Sequence, residues 1–122
     1  MGKFVVYTTD TGVHFNLKAA NGEVICTSES YTTRQNCLEG IESVRRNAGV
    51  HIEDLTKDIE EPLCHPKYEL YLDKKGEFRF RLKARNGEII AAGEGYTTKQ
   101  NCLNGIDSIR RNAPTAEIVD GE

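Results

Sequence analysis

Residues 96–113 read YTTKQNCLNGIDSIRRNA, and residues 31–48 read YTTRQNCLEGIESVRRNA. Apart from Glu39 against Asn104, the two stretches differ only conservatively. A chain of 122 residues that spends two segments on one pattern is a duplication, and the rest of the sequence falls into register around it. Each stretch predicts an amphipathic helix. Cys37, Ile41, Val44 and Ala48 recur at i, i+4, i+7 and i+11, one stripe of a helix, and Cys102, Ile106, Ile109 and Ala113 repeat it. Thr32 with Gln35, and Thr97 with Gln100, have the spacing of a capping box. Arg45, Arg46, Arg110 and Arg111 stand in the last turns, where cations suit the exposed carbonyls. Gly49 and Pro114 stop the helices. Gly40 and Gly105 lie mid-helix on or near the buried stripe, at a cost of about 1 kcal/mol each against Ala. Close approach of another backbone, as in tight helix–sheet packing, is the expected reason.

Upstream of each helix stands the same set of strand patterns. Lys3 to Thr9 is rich in β-branched and aromatic residues. After the turn at Asp10–Gly12, Val13, Phe15, Leu17 and Ala19 alternate with polar residues, the period-2 signature of a half-buried strand. Asn21-Gly22 marks a hairpin, and residues 23–29 return as a third strand. Two-residue and three-residue turns put Ile25 on opposite faces, so the register stays open at this point. Val50 to Leu55 reads as a fourth strand after the helix. The second copy restarts at Lys67 to Leu72. Phe78, Phe80, Leu82 and Ala84 then point inward, the turn is Asn86-Gly87, residues 88–94 return, and Ala116 to Val119 follows the helix. Gly121 and Glu122 read as a frayed end. Each half is β-β-β-α-β: repeats 3–55 and 67–120, joined by a linker, 56–66, with two prolines and mixed charge. The expected fold is α+β, one domain with one antiparallel sheet and two helices on one face about a pseudo-two-fold axis. A lone meander leaves a sheet edge unpaired, so the C-terminal strand of each half is a candidate for exchange into the other. The expectation is a monomer that acts as an internal pseudo-dimer.

The run F-x-L-K-A-x-N-G-E-(V/I)-I, then E-x-Y, then a helix ending G-I-(E/D)-S-(V/I)-R-R-N-A, resembles the YegP-like family of small bacterial and archaeal proteins. The residues that carry the likeness are Phe15, Leu17, Lys18, Ala19, Asn21 to Ile25, Glu29, Tyr31 and Gly40 to Ala48. They recur as Phe80 to Ala84, Asn86 to Ile90, Glu94, Tyr96 and Gly105 to Ala113. The resemblance implies paired β3-α-β units in a single sheet with exchanged C-terminal strands, drawn from a tandem repeat or from two subunits. It implies no activity, and it supplies no catalytic or binding residues to carry over. Phe15 and Phe80 stand where Trp often precedes the R-L-K run, and Asn16 replaces the Arg kept at Arg81.

Composition narrows the function classes. Hydrophobic residues make up 38%, mean hydropathy is −0.54 and formal net charge is −3. No apolar run approaches a membrane span. The opening Met1-Gly2-Lys3-Phe4 lacks the apolar core of a secretory signal, and Tyr7 sits where a myristoylation motif wants Ser or Thr. The four cysteines, at 26, 37, 64 and 102, show no disulfide framework. A cytoplasmic protein with reduced thiols is expected.

Several residue sets invite a functional reading. Arg79, Arg81, Lys83 and Arg85 share one strand face and, with Lys74 and Lys75, form a basic strip of the kind that tracks a phosphate backbone. The first repeat offers only His14, Asn16 and Lys18 there, and no aromatic residue is seen to interleave, so a solvated strand face is the simpler account. Lys18 and Lys83, with Glu29 and Glu94, recur near the Asn-Gly turns as a binding or weak catalytic pair. A cross-strand ion pair worth about 0.2–1 kcal/mol explains them more simply. Cys64-His65, with His51 and Cys26, matches no zinc spacing, and no metal is expected. Cys37 and Cys102 read as small core residues rather than a redox pair. Tyr31 and Tyr96 suit hydrophobic staples before the caps. The helix N-termini at Thr32-Thr33 and Thr97-Thr98 offer only generic anion attraction. No nucleophile–base pair, phosphate loop or cofactor fingerprint is present, so no cofactor is expected. The leading expectation is a non-catalytic module for a protein partner or small ligand, working through the sheet face that the helices leave open. Polyanion binding through the arginine strip comes second, and a small enzyme last.

Overall fold

The structure is a computed structural model that describes residues 2–58 and 61–121. The first repeat contributes β1 (Lys3–Thr9), β2 (Gly12–Lys18), β3 (Val24–Thr27), α1 (Arg34–Asn47) and β4 (Ile52–Asp54). The second contributes β5 (Lys67–Leu72), β6 (Phe78–Lys83), β7 (Ile89–Ala92), α2 (Lys99–Asn112) and β8 (Glu117–Asp120). All eight strands join one sheet in the order β4-β5-β6-β7-β3-β2-β1-β8. The C-terminal strands are exchanged: β4 of the first repeat pairs with β5 of the second, and β8 of the second pairs with β1 of the first. The six inner strands are antiparallel, as expected. The two exchanged strands add parallel to their neighbours, so the sheet as a whole is mixed. The linker expected at 56–66 runs between β4 and β5; Ile59 and Glu60 within it, and Glu122 at the end, lie outside the described residues. Gly121 extends the pairing of β8, its amide donating to the Val6 carbonyl at 2.6 Å.

The alternating strands and the helical stripes meet in one core. Phe4, Phe15, Leu17, Tyr68, Leu70, Phe80 and Leu82 from the sheet are fully buried, as are Cys37, Ile41, Val44, Cys102, Ile106 and Ile109 from the helices. Each helix packs across the seam: α1 touches β2 and β7, and α2 touches β6 and β3.

The hairpin register follows from the turn. Ala19 N–H donates to Glu23 O, Gly22 N–H donates to Ala19 O, and Gly22 has φ +87°. This is a three-residue loop whose last residue needs the left-handed region that glycine adopts freely. Asn86-Gly87 repeats it. Leu17 then faces Cys26 while Lys18 faces Val24, so Ile25 is the extra residue of a β-bulge. Ile90 occupies the same place in the second repeat, and the bulge lets Ile25 and Cys26, like Ile90 and Ala91, all be buried.

The caps lie one residue later than the capping-box spacing predicts. Thr33 and Thr98, both extended, are the N-caps, and their hydroxyls accept from the amides of Asn36 and Asn101. Gln35 and Gln100 turn instead to the side chains of Glu39 and Asn104.

The mid-helix glycines answer to a side chain, not to a backbone. A Cβ on Gly40 would sit 2.2 Å from the Tyr31 hydroxyl, and one on Gly105 would sit 2.5 Å from that of Tyr96. Each tyrosine ring stacks on a core phenylalanine, Tyr31 on Phe15 at 6.3 Å and Tyr96 on Phe80 at 6.4 Å. The missing methyl is the slot for a ring that its own stacking holds in place.

Two arginines expected to face the helix dipole do something more specific. Arg45 lies over the Phe4 ring and donates to the Ala116 carbonyl just before β8. Arg110 lies over the Tyr68 ring and donates to the Val50 carbonyl just before β4, at 2.6 Å. Each repeat's helix therefore grips the other repeat's exchanged strand. Arg34 to Asp120 and Lys99 to Asp54 repeat the grip at the far end, and the buried Tyr68 hydroxyl donates to the Ala48 carbonyl at 2.7 Å.

Arg45→Ala and Arg110→Ala will each lower stability by about 1.5–3 kcal/mol in urea denaturation, since a charged donor is removed from a half-buried carbonyl. Arg34→Ala, which breaks an exposed pair, will cost about 1 kcal/mol or less. Gly40→Ala will destabilise although it improves helix propensity by about 1 kcal/mol, because overpacking costs about 1–3 kcal/mol. In Gly40→Ala/Tyr31→Ala the loss will fall short of the summed single losses, the coupling expected of residues in contact.

Candidate functional site

Two grooves of matching construction lie on the helix side of the molecule. In each, the Asn-Gly turn of one repeat faces the C-terminal half of the other repeat's helix. The first is about 630 Å³, with Ala20, Asn21 and Glu23 on the turn side and Ser108, Arg111 and Asn112 on α2. The second is about 700 Å³, with Arg85 and Asn86 on the turn side, Ser43, Arg46 and Asn47 on α1, and Pro66 from the linker. Asn21 and Asn86, Ser43 and Ser108, Arg46 and Arg111, and Asn47 and Asn112 are repeat equivalents that reach the grooves from opposite halves. Local structure fixes their directions. Asn47 Nδ2 donates to Ser43 O at 2.8 Å, and Asn112 repeats this bond to Ser108. Asn21 Oδ1 accepts from Glu23 N at 3.0 Å, and Asn86 Oδ1 from Glu88 N. Tyr96 also lines the first groove. Burial chiefly, with a contribution from the Glu88 carboxylate of the other repeat, raises the Tyr31 phenol above its ordinary pKa. The Glu23 carboxylate adds to the burial of Tyr96 in the same way.

The arginine strip has a different setting. Arg79 Nε lies 2.6 Å from Asp73, Arg81 Nε lies 2.6 Å from Glu69, and Lys83 Nζ lies 3.2 Å from Glu69. Three of its four cations thus have carboxylate partners on the same sheet; Arg85 instead lines the second groove. Behind them, the buried Lys67 binds Glu53 at 2.8 Å and Glu69 at 3.4 Å. Tyr71 lies on the same face, with the Arg81 guanidinium 4.5 Å from its ring centre. The expectation that no aromatic residue interleaves there overlooks it. The signal was available, because Tyr68 and Leu70 point inward and alternation turns Tyr71 outward.

The other candidates separate. Ser28 N–H donates to Phe15 O, which sets Glu29 near the Phe15 end of β2, three residues from Lys18. Glu94 lies likewise near Phe80, while Lys83 pairs with Glu69. The two Lys–Glu sets are therefore not cross-strand pairs. His51 Nε2 sits 2.9 Å from the Cys64 carbonyl oxygen, and His65 lies against the turn at Gly87. Among the described residues, no three His, Cys, Asp or Glu side chains gather as metal ligands. Cys26, Cys37 and Cys102 are buried. Burial pushes the Cys26 thiol up to about 12 and the Cys102 thiol to about 11, far from a reactive thiolate at neutral pH. No helix is long and apolar enough to cross a membrane.

The ionic cluster sets an acid limit. Burial opposes the charge on Glu69, but hydrogen bonds from Arg81 and Lys83 outweigh it and bring the carboxyl down from 4.5 to about 2. Lys67 and the Leu63 amide likewise lower Glu53. A depressed carboxyl adds stability above its unfolded pKa and loses it as pH falls through the folded one. The urea midpoint will therefore drop between pH 4.5 and about 2, and in Glu69→Gln it will start lower and fall less steeply.

Comparison with known proteins agrees with this duplicated architecture. The model of a domain of unknown function, DUF1508, matches residues 9–54 and again 73–120. A UPF0339 protein of Pseudomonas aeruginosa is 37% identical over 111 residues, spanning 91% of this chain and 88% of that one. A UPF0339 protein of Treponema denticola is 59% identical over 54 residues, 44% of this chain but 93% of its own length. The solution NMR structure of the protein of unknown function yegP from E. coli superposes with TM-score 0.80 at 35% identity, covering 98% of this chain and 92% of that one. The UPF0339 protein of Shewanella oneidensis gives the same TM-score at 32% identity, covering 98% and 90%. With both repeats matched in sequence and the whole fold matched in structure, the chain belongs to the DUF1508 family of YegP-like proteins.

Proposed function

We propose that this protein is a non-catalytic binding module that works through its two composite grooves. One observation carries the reading: four side chains identical in the two repeats, an Asn from the turn and a Ser, an Arg and an Asn from the helix, converge from opposite halves on two equivalent depressions. Both volumes fall within the range of small-ligand sites. The open sheet face is less suited to the task in its second half, where the cations are held by carboxylates of the same face. A polyanion on that strip would have to displace Asp73 and Glu69. The placement of Glu29 beside Phe15 rather than Lys18 speaks against a Lys–Glu catalytic pair. We take the module to be a cytoplasmic monomer. Its four free cysteines suit a reducing compartment, and the exchange of strands closes within one chain.

A thermal-shift screen of the full chain against soluble metabolites tests the reading. Compounds that raise the unfolding midpoint are expected, and a ligand at one hundred times its Kd adds about 2.7 kcal/mol. Ala20→Trp combined with Arg85→Trp fills both turn sides and will abolish the shift, whereas Tyr7→Ser on the open sheet face will keep it. Shifts that survive groove filling, or a screen with no shift at all, would overturn the proposal.

A further inference from the structure

The two grooves are alike in outline and unlike in charge. Beside α2, Arg111 Nε lies 2.9 Å from Asp107 of its own helix, and the turn residue opposite is Ala20. Beside α1, the residue equivalent to Asp107 is Glu42, which is held by Arg45 at 2.7 Å. Among the described residues, Arg46 has no carboxylate within ion-pair distance. The turn residue opposite it is Arg85, which has none either. Among the described residues, one groove therefore presents two guanidinium groups without a carboxylate in ion-pair contact, from two separate elements, and its twin presents none.

From this we infer that the groove beside α1 binds a small phosphate monoester, held between Arg46 of the helix and Arg85 of the β6–β7 turn. The inference rests on the reading of the grooves as binding sites and adds the class of ligand. The donor inventory points the same way. Ser43 Oγ accepts from Asn47 Nδ2 at 3.2 Å, which leaves its hydroxyl proton to give. Asn86 Oδ1 accepts from the Glu88 amide, which leaves its NH₂ to give. Together with the two guanidinium groups, these are donors that find no acceptor among the described residues, and they suit a group that only accepts. Guanidinium forks match phosphoryl oxygens bidentately. Two cations from different elements balance a dianion, where a carboxylate would need one. The volume of about 700 Å³ exceeds that of a bare phosphate and leaves room for the organic part of an ester. A nucleic-acid strand fits less well, because the cations next along β6 are already paired with Asp73 and Glu69.

The test is an amide-shift NMR titration of the full chain at fixed ionic strength with inorganic phosphate, then glycerol phosphate, acetate and a short single-stranded oligonucleotide. Saturable shifts are expected at residues 43–47 and 84–87, with either phosphate and only weakly with acetate. Arg46→Gln and Arg85→Gln, both exposed substitutions, will weaken binding about tenfold, the loss of one charge-assisted contact. Lys3→Gln, an exposed substitution on β1 outside both grooves, will leave the affinity unchanged. Shifts that fail to saturate, that appear equally in both grooves, or that saturate in Arg46→Gln at the same phosphate concentration as in the unaltered protein would overturn the inference. Tighter binding of the oligonucleotide than of the monoester would do so as well, in favour of a polyanion. If screened ligands fill the grooves while phosphate does not bind, the ligand class fails and the grooves stand.

Discussion

The structure depends on the exchange of the two short strands that follow the helices. At its centre the sheet is thin, for β3 and β7 meet through the single pair Thr27 and Ala92. A seam that narrow contributes little by itself. What joins the halves is β4 lying on β5, β8 lying on β1, and each helix resting across the seam. Arg45 and Arg110 fix the exchange at the point where the chain leaves each helix. Each covers an aromatic ring of its own repeat and donates to a carbonyl of the other. Such a carbonyl, at a crossover between a helix end and a parallel strand, has no ladder partner of its own, so a charged donor reaching it satisfies an acceptor that folding would otherwise strand.

Duplication also makes the molecule its own comparison. On the sheet face away from the helices, Glu69, Arg81 and Lys83 of the second repeat and Glu53 of the exchanged β4 form one ionic cluster around the buried Lys67. At the matching positions stand Val5, Asn16 and Lys18 of the first repeat and Val119 of the exchanged β8, with Val5 and Val119 in register on neighbouring strands. The same backbone thus accepts an apolar pair and a charged network at equivalent sites. This fits the general finding that buried ion pairs and well-packed apolar groups are near in net stability, while a broken pair is costly. The Tyr–Gly fit against the helix, by contrast, is the same in both repeats. A ring wedged into a slot under a helix tolerates less variation than these sheet positions.

The grooves are a consequence of the exchange. Neither repeat alone contains one, since the turn and the helix that face each other belong to different halves. Two divergent positions, Arg85 against Ala20 and the partner choice of Glu42 against Asp107, are enough to give equivalent depressions different electrostatic characters. Duplication within one chain permits that divergence, because the two copies are free to vary separately.

The sequence by itself determined the elements and the faces they bury. The i, i+4, i+7 stripe of Cys37, Ile41 and Val44 and the alternation of Phe15 and Leu17 are local patterns, set by the 3.6-residue and two-residue periods of the backbone. The resemblance carried by Phe15 to Ala48 and Phe80 to Ala113 extended this to the paired units and the exchanged strands. Pairing between residues far apart in the chain came from the fold alone. Capping-box spacing favoured Thr32, yet the backbone makes Thr33 the cap. Helix position made Arg45 and Arg110 look like dipole ligands, yet their partners, Ala116 and Val50, belong to the other repeat. Lys83 looked matched to Glu94, yet its ion-pair partner is Glu69, diagonally across on β5. Arg85 belonged to a basic strand in sequence and lines a groove with Arg46 in space. Periodicity records which way a side chain points, whereas its partner is fixed by which strand lies beside it, and here exchange places strands of the other repeat there.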